Sequence, residues 1–126
     1  MKNILYLLAL TIPPIVSCSK QDITPFTYEQ ICKAAISASV STKPRKMKSI
    51  SSKSGAYEIS YIRNDGNKYT YDCKFKGNEV RWKDSSMSKW NKNVKIYFKI
   101  NKDRKLHIKT DMLGTVFTKT FKTSDF

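Results

Sequence analysis

The side chains best suited to covalent or metal chemistry are three cysteines, Cys18, Cys32 and Cys73, and one histidine, His107. A metal site needs several converging histidine, cysteine or carboxylate ligands, and a nucleophile needs a neighbouring base. His107 is the single histidine, has no local Ser or Cys partner, and sits at an outward position of a strand pattern. We therefore predict no metal site, no cofactor and no catalytic residue.

The acidic residues do not suggest an enzyme either. Glu58 and Asp72 are expected on neighbouring strands, where pairing with Lys68 or Lys74 is favoured over a glycosidase carboxylate pair. The four glycines all fall at turns, so no phosphate-binding glycine loop is present. A binding protein is thus the expected class.

The first residues are typical of an export signal. A short positive segment is followed by an apolar run, residues 4–12, that is too short to span a bilayer and that Pro13 ends. We predict a signal peptide over residues 1–17; a buried N-terminal helix is the alternative.

Residues 15–18, Ile-Val-Ser-Cys, resemble the lipobox of bacterial lipoproteins. The resemblance implies cleavage before Cys18, lipidation of Cys18 and a membrane anchor in the cell envelope. Ser19 stands where the family uses Asp for inner-membrane retention, which implies the outer membrane, facing the periplasm, in a diderm host. A cysteine that lies close to an ordinary cleavage site is the alternative. Residues 18–25 would then form a lipidated tether.

For residues 26–126 we predict a single α+β domain, with one N-terminal helix packed on an antiparallel β-meander of about six strands. Thr27 and Gln30 form a capping-box pattern before an apolar helical face that extends to Val40. The basic segment 45–55 is interpreted as a loop with a short edge strand, and a polybasic patch is the alternative. From Tyr57 onward, alternating segments separated by turn residues predict sequential hairpins.

The central hairpin is predicted over residues 69–82, with aromatic side chains on one face and charged ones on the other. Cys73 falls on its aromatic face and Cys32 on the apolar face of the helix. Because these two faces must meet in the core of an exported protein, we predict a Cys32–Cys73 disulfide. Two free, packed thiols are the alternative.

The segments around these two cysteines, Cys-Lys-Ala-Ala-Ile, Tyr-Ile-Arg-Asn-Asp-Gly-Asn-Lys-Tyr-Thr-Tyr-Asp-Cys-Lys and Gly-Asn-Glu-Val-Arg-Trp, resemble a group of small exported bacterial proteins to which no activity is assigned. The likeness spans roughly residues 32–90. It implies the same helix–meander fold with paired cysteines and brings no function with it.

The chain has 24 lysines and arginines against 10 acids, a formal net charge of +14. So large a charge attracts anionic surfaces. Eight of the basic residues are predicted on the outward sheet face: Lys74, Lys76, Arg81, Lys83, Lys95, Lys99, Lys105 and Lys109. A plain solvated face is the alternative.

From these features the sequence predicts a non-enzymatic cell-envelope lipoprotein. Its basic face would bind an anionic lipid, lipopolysaccharide or an envelope protein, while nucleic acid is not expected in that compartment. The alternative function is that of a mobile-element accessory lipoprotein, such as a phage superinfection-exclusion factor that blocks a receptor or the passage of DNA.

Overall fold

The computed structural model describes residues 21–51 and 54–126. The helix α1, Tyr28–Val40, is followed by seven strands. They are β1 Lys48–Ser51, β2 Tyr57–Ile62, β3 Lys68–Lys76, β4 Glu79–Asp84, β5 Val94–Ile100, β6 Leu106–Met112 and β7 Thr115–Phe121. Short 3₁₀ turns cover Pro44–Lys46 and Thr123–Asp125.

The strands form one antiparallel sheet in the order β1-β2-β3-β4-β5-β6-β7. The α+β meander is therefore confirmed, and the predicted number of about six strands was one too low. The seventh strand is β1, the short edge strand expected in the basic segment 45–55. It pairs with β2 along the sheet edge, from Lys48 opposite Ser60 to Ser51 opposite Tyr57.

The helix begins where the sequence predicts. Thr27 Oγ1 accepts a hydrogen bond from the Gln30 amide at 3.2 Å, and the Gln30 side chain accepts one from the Thr27 amide at 3.0 Å. This capping box satisfies two backbone donors that a helix start leaves free. The helix ends at Ser41, which adopts the left-handed conformation.

The sheet curves around the helix. Helix α1 contacts both β2 and β6, which in a flat sheet would lie about 19 Å apart, at roughly 4.8 Å per strand. A helix with its side chains is only about 10 Å wide. Arg45, which follows α1, donates to the carbonyl of Ser124 after β7 at 2.7 Å, so the two ends of the meander come together beside the helix.

The core lies between α1 and the concave side of the sheet. Cys32 and Cys73 are both fully buried there, and their Sγ atoms lie 2.02 Å apart, at disulfide distance. The remaining buried apolar side chains come from the helix and from the inward positions of the strands, among them Ile31, Ile36, Ile59, Val80, Ile96, Leu106 and Ile108. Outward strand positions are mostly polar or charged, although Ile50, Ile62 and Val116 are exposed apolar residues there.

Candidate functional site

The face of the sheet that points away from α1 is called the outward face. Its strand positions follow from the register, which places inward residues opposite inward residues across every strand pair. Its basic residues are Lys48, Lys68, Lys74, Lys76, Arg81, Lys83, Lys95, Lys99 and Lys109. Its acidic residues are Glu58, Asp72, Glu79 and Asp111.

Seven of the eight predicted basic residues lie on this face. The eighth, Lys105, was wrongly placed on a strand. It precedes β6 and lies in the turn after β5. Its carbonyl accepts from the Asn101 amide at 3.1 Å, and its ammonium lies 3.9 Å from Asp103. The strand starts one residue later than the alternation suggested, because the turn needs Arg104 in the left-handed conformation, with φ of 62°.

The outward face has a gap between β4 and β5. These two strands are paired only at Glu79–Tyr97 and Val80–Ile96. Beyond that point they separate, and residues 85–93 fill the opening. Short pairing of this kind leaves room for a loop to sit at the sheet surface.

The loop in this gap is held by backbone and side-chain hydrogen bonds. Ser85 donates its amide to Thr70 at 3.0 Å, and Asn91 donates its amide to the carbonyl of Trp82 at 3.0 Å. Asp84 Oδ1 accepts from the hydroxyl of Ser86 at 2.7 Å and from its amide at 2.9 Å. These bonds lower the pKa of Asp84, so the carboxylate that starts the loop stays charged.

Trp90 is the residue that this loop brings to the cations. The ammonium of Lys74 lies 4.1 Å from the centroid of the Trp90 ring, and that of Lys83 lies 5.4 Å from it. Both distances are within the range of cation–π attraction, worth about 0.5–1 kcal/mol at an exposed site. An aromatic ring and two strand lysines are therefore assembled from parts of the chain that are not adjacent in sequence.

An open cleft of about 640 Å³ lies beside Trp90. Its lining residues are Glu79, Arg81, Lys89, Trp90, Asn91, Lys92 and Lys95. Four of them are basic and one is acidic, and Glu79 already lies 3.6 Å from Arg81. The cleft thus combines excess positive charge with an indole ring, a combination suited to an anionic ligand that also has a ring or an apolar part.

Lys83 is the most engaged of the predicted basic residues. Its ammonium lies 3.0 Å from Asp72 Oδ2 and donates to the carbonyl of Met87 at 2.7 Å. Asp72 also accepts from the hydroxyl of Ser85 at 2.9 Å. Lys83 is therefore a residue that positions the loop, and its charge is less available to a ligand than that of cations with fewer contacts.

The pairing predicted for the acids needs a correction. Glu58 and Asp72 do lie directly opposite each other on β2 and β3. Asp72, however, pairs with Lys83 and not with Lys68 or Lys74. The reason is that Lys83 faces Asp72 directly across the β3–β4 pair, whereas Lys74 is drawn to the Trp90 ring.

Besides Lys74, which lies over the Trp90 ring, four predicted cations have no carboxylate within ion-pair distance in the described part of the chain: Lys76, Lys95, Lys99 and Lys109. All four are exposed. Unpaired, exposed ammonium groups keep their full charge available for a ligand, so this group and the Trp90 cleft together form the candidate site.

His107 lies on the outward face opposite Lys99, as predicted. Its two ring nitrogens lie 2.7 Å from the Asn101 side-chain nitrogen and 3.1 Å from the Thr120 hydroxyl. Both nitrogens are thus engaged by neighbouring polar groups, and the ring serves to join the β5–β6 turn to β7.

Cys18, the predicted lipidation site, lies outside the described residues. Within residues 21–51 and 54–126, no group of three histidine, cysteine or acidic side chains is placed to hold a metal ion. The same residues include no helix long and apolar enough to cross a membrane.

Sequence reasoning missed Trp90 and the two lysines beside it, Lys89 and Lys92. A usable signal was present, since a tryptophan between lysines in a polar loop has no core position to occupy and is typical of binding surfaces.

Comparison of the chain with protein-family models, with curated proteins and with solved structures found no match.

Proposed function

We propose that this chain is a non-enzymatic lipoprotein of the cell envelope whose outward face binds an anionic envelope component. In this proposal a lipid on Cys18 holds the domain at the membrane. The observation that carries the binding role is the convergence of Lys74, Arg81, Lys92 and Lys95 around Trp90.

Charge supports an anionic ligand over a neutral one. The outward face carries nine basic residues and four acids. Two of those acids, Asp72 and Glu79, are already neutralised by neighbouring cations. The remaining positive charge of the outward face attracts anions. Salt weakens this attraction, because the cations are close to solvent.

The indole ring narrows the ligand class. Phosphate alone needs no aromatic contact, whereas a phosphorylated sugar presents both charge and an apolar ring face. Trp90 could pack against the ring while the lysines contact the phosphates. A phosphorylated saccharide of the envelope, such as that of lipopolysaccharide, therefore fits the cleft better than a small inorganic anion.

The experiment is a titration of the anchor-free chain, residues 18–126 with Cys18→Ser, with deacylated lipopolysaccharide. Tryptophan fluorescence reports on the cleft, and the variant Trp90→Phe separates its signal from that of Trp82. We expect binding whose dissociation constant rises steeply with added salt, because surface charges are screened within about 8 Å at physiological ionic strength.

The matched variants are Lys95→Gln, in the cleft, and Lys119→Gln, at an exposed position that the register places on the opposite side of the sheet. Each removes one positive charge. The proposal predicts that Lys95→Gln weakens binding several-fold more than Lys119→Gln. Equal effects of both substitutions, or binding that is insensitive to salt, would contradict a role for this face.

A further inference from the structure

The start of the described chain lies at one particular end of the sheet. Gln21 lines a small cleft with Tyr28 and Gly77, and a second one with Asn78 and Ile100. Gly77 and Asn78 form the turn between β3 and β4, and Ile100 is the last residue of β5. The end of the sheet that carries the turns Gly77–Asn78 and Asn101–Lys105 is called the anchor end.

The chain that joins Cys18 to Gln21 is short. Three residues span at most about 10 Å even when fully extended. A lipid on Cys18 would therefore keep Gln21, and with it the anchor end, within that distance of the membrane surface.

We infer that the anchor end is a membrane-contacting surface that rests on anionic lipid headgroups. This inference rests on the lipidation of Cys18 that the proposed function includes. It adds an orientation and a second binding surface. Lys76 and Lys99 of the candidate site lie on this surface, whereas neither lines the Trp90 cleft.

The anchor end carries the charge that such a contact needs. Among the described residues, its exposed cations include Lys76, Lys99, Lys102, Arg104 and Lys105. Glu79, directly opposite Lys76, lies 3.6 Å from Arg81. Two further carboxylates, those of Asp22 and Asp103, also have a partner. Asp22 Oδ1 accepts from the Thr24 amide at 3.0 Å, a bond that lowers the pKa of Asp22, and Asp103 lies 3.9 Å from Lys105. Each cation close to an anionic membrane raises the affinity by a factor of about five.

One other surface could compete for the membrane. The tip of the β6–β7 hairpin exposes four apolar side chains: Met112, Leu113, Val116 and Phe117. This tip lies at the opposite end of β6 from the anchor end, about 20 Å away for a strand of seven residues. Because the tether is only about half that long, lipidation at Cys18 favours contact through the anchor end.

The test attaches the chain that begins at Cys18 to lipid nanodiscs through a maleimide lipid. Cys32 and Cys73 are at disulfide distance and fully buried, so Cys18 is the thiol that reacts. The discs contain phosphatidylglycerol and a lipid with a paramagnetic headgroup, and broadening of amide signals is measured residue by residue. We expect broadening at Gly77, Asn78 and residues 101–105, with sharp signals at Leu113 and Gly114.

Two double variants test the role of charge. Lys102→Gln/Arg104→Gln removes two cations from the anchor end, and Arg63→Gln/Lys68→Gln removes the same two residue types from the opposite end. In anchor-free partitioning onto phosphatidylglycerol vesicles, we expect the first to lower affinity by up to about twenty-five-fold, from a factor of about five per cation. The second should change it far less.

Broadening that is strongest at residues 112–117, or that is uniform over the domain, would overturn the inference. Equal loss of partitioning by the two double variants would do the same. These outcomes are separate from failure of the proposed binding role, which is measured with a soluble saccharide and with Lys95. Finding Cys18 without lipid in cells would remove the anchor on which the inference rests.

Discussion

Breaking the Cys32–Cys73 cross-link is the perturbation whose size follows most directly from the fold. The two cysteines are 41 residues apart in sequence. In the chain-entropy model, closing a loop of that length stabilises the folded state by about 4 kcal/mol, because it restricts the unfolded chain. That is a large part of the roughly 5–15 kcal/mol by which whole domains are stable.

The assay is urea unfolding of the anchor-free chain, Cys18→Ser, with and without a reducing agent. Reduction leaves both side chains in place and removes only the cross-link, so no cavity is created. For a domain of this size, unfolding free energy falls by about 1–1.5 kcal/mol per molar urea, and reduction should lower the midpoint by about 3 M. The thermal midpoint should fall by about 20 °C.

The control is the double variant Cys32→Ala/Cys73→Ala, whose stability should not respond to the reducing agent. It should be at least as unstable as the reduced chain, because both positions are fully buried and the lost sulfurs leave space in the core. Midpoints that differ by less than about 0.5 M between oxidised and reduced chain would refute the reasoning, since that is below 1 kcal/mol.

Three further predictions concern the helix start, the aromatic core and the sheet edge. Thr27→Ala removes the cap to the Gln30 amide and should lower the free energy of unfolding by about 1 kcal/mol in urea titrations; an unchanged midpoint would show that the cap adds nothing. Burial, followed by a hydrogen bond with Tyr61, raises the pKa of Tyr71 from 10.0 to about 12. The unfolded chain therefore loses this proton at a lower pH than the folded chain, and the free energy of unfolding should fall as the pH rises from 10.0 to about 12. Urea unfolding over this pH range should show a smaller fall in Tyr71→Phe than in the unaltered chain. An equal fall in the two proteins would contradict this. Phe117 is 56% exposed on the edge strand β7, so Phe117→Lys should leave the free energy of unfolding nearly unchanged. The substitution should reduce self-association in sedimentation experiments, because a charge discourages pairing between edge strands. Unchanged self-association would argue against pairing through this edge.

Local patterns were sufficient to predict most of the fold. The capping box and the apolar face that contains Cys32 give the helix its start and its orientation, and both are properties of neighbouring residues. Strict alternation around Cys73 likewise gives the central strand its inward face. Because both cysteines fall on inward faces, their proximity could be inferred without knowledge of the rest of the sheet.

Features that depend on how far two strands pair were not predictable in this way. The separation of β4 from β5 beyond Val80 and Ile96 has no local sequence signal, because each strand alternates normally on its own. The site at Trp90 exists only because of that gap. The pairing of Asp72 with Lys83 depends on the same cross-strand register, which sequence periodicity alone does not supply.

The candidate site was therefore predicted as a charged face and not as a cleft. The prediction that these cations lie on the outward face was right for Lys74, Lys95 and the other strand cations. Alternation along a strand does not show which cations already have a partner, as Lys83 does. It also does not show where a strand begins, and Lys105 proved to lie before its strand. Those two properties come from tertiary contacts and from turn geometry.

Lipidated export is the claim on which the envelope ligand, the membrane orientation and the oxidising compartment all depend. Intact-mass measurement of the native product, purified from the membrane fraction with detergent, tests it most directly. We expect a chain that begins at Cys18, carries the mass of acyl chains and has two hydrogens fewer than a fully reduced chain. A product that retains Met1 and has three reduced, alkylatable cysteines would contradict it.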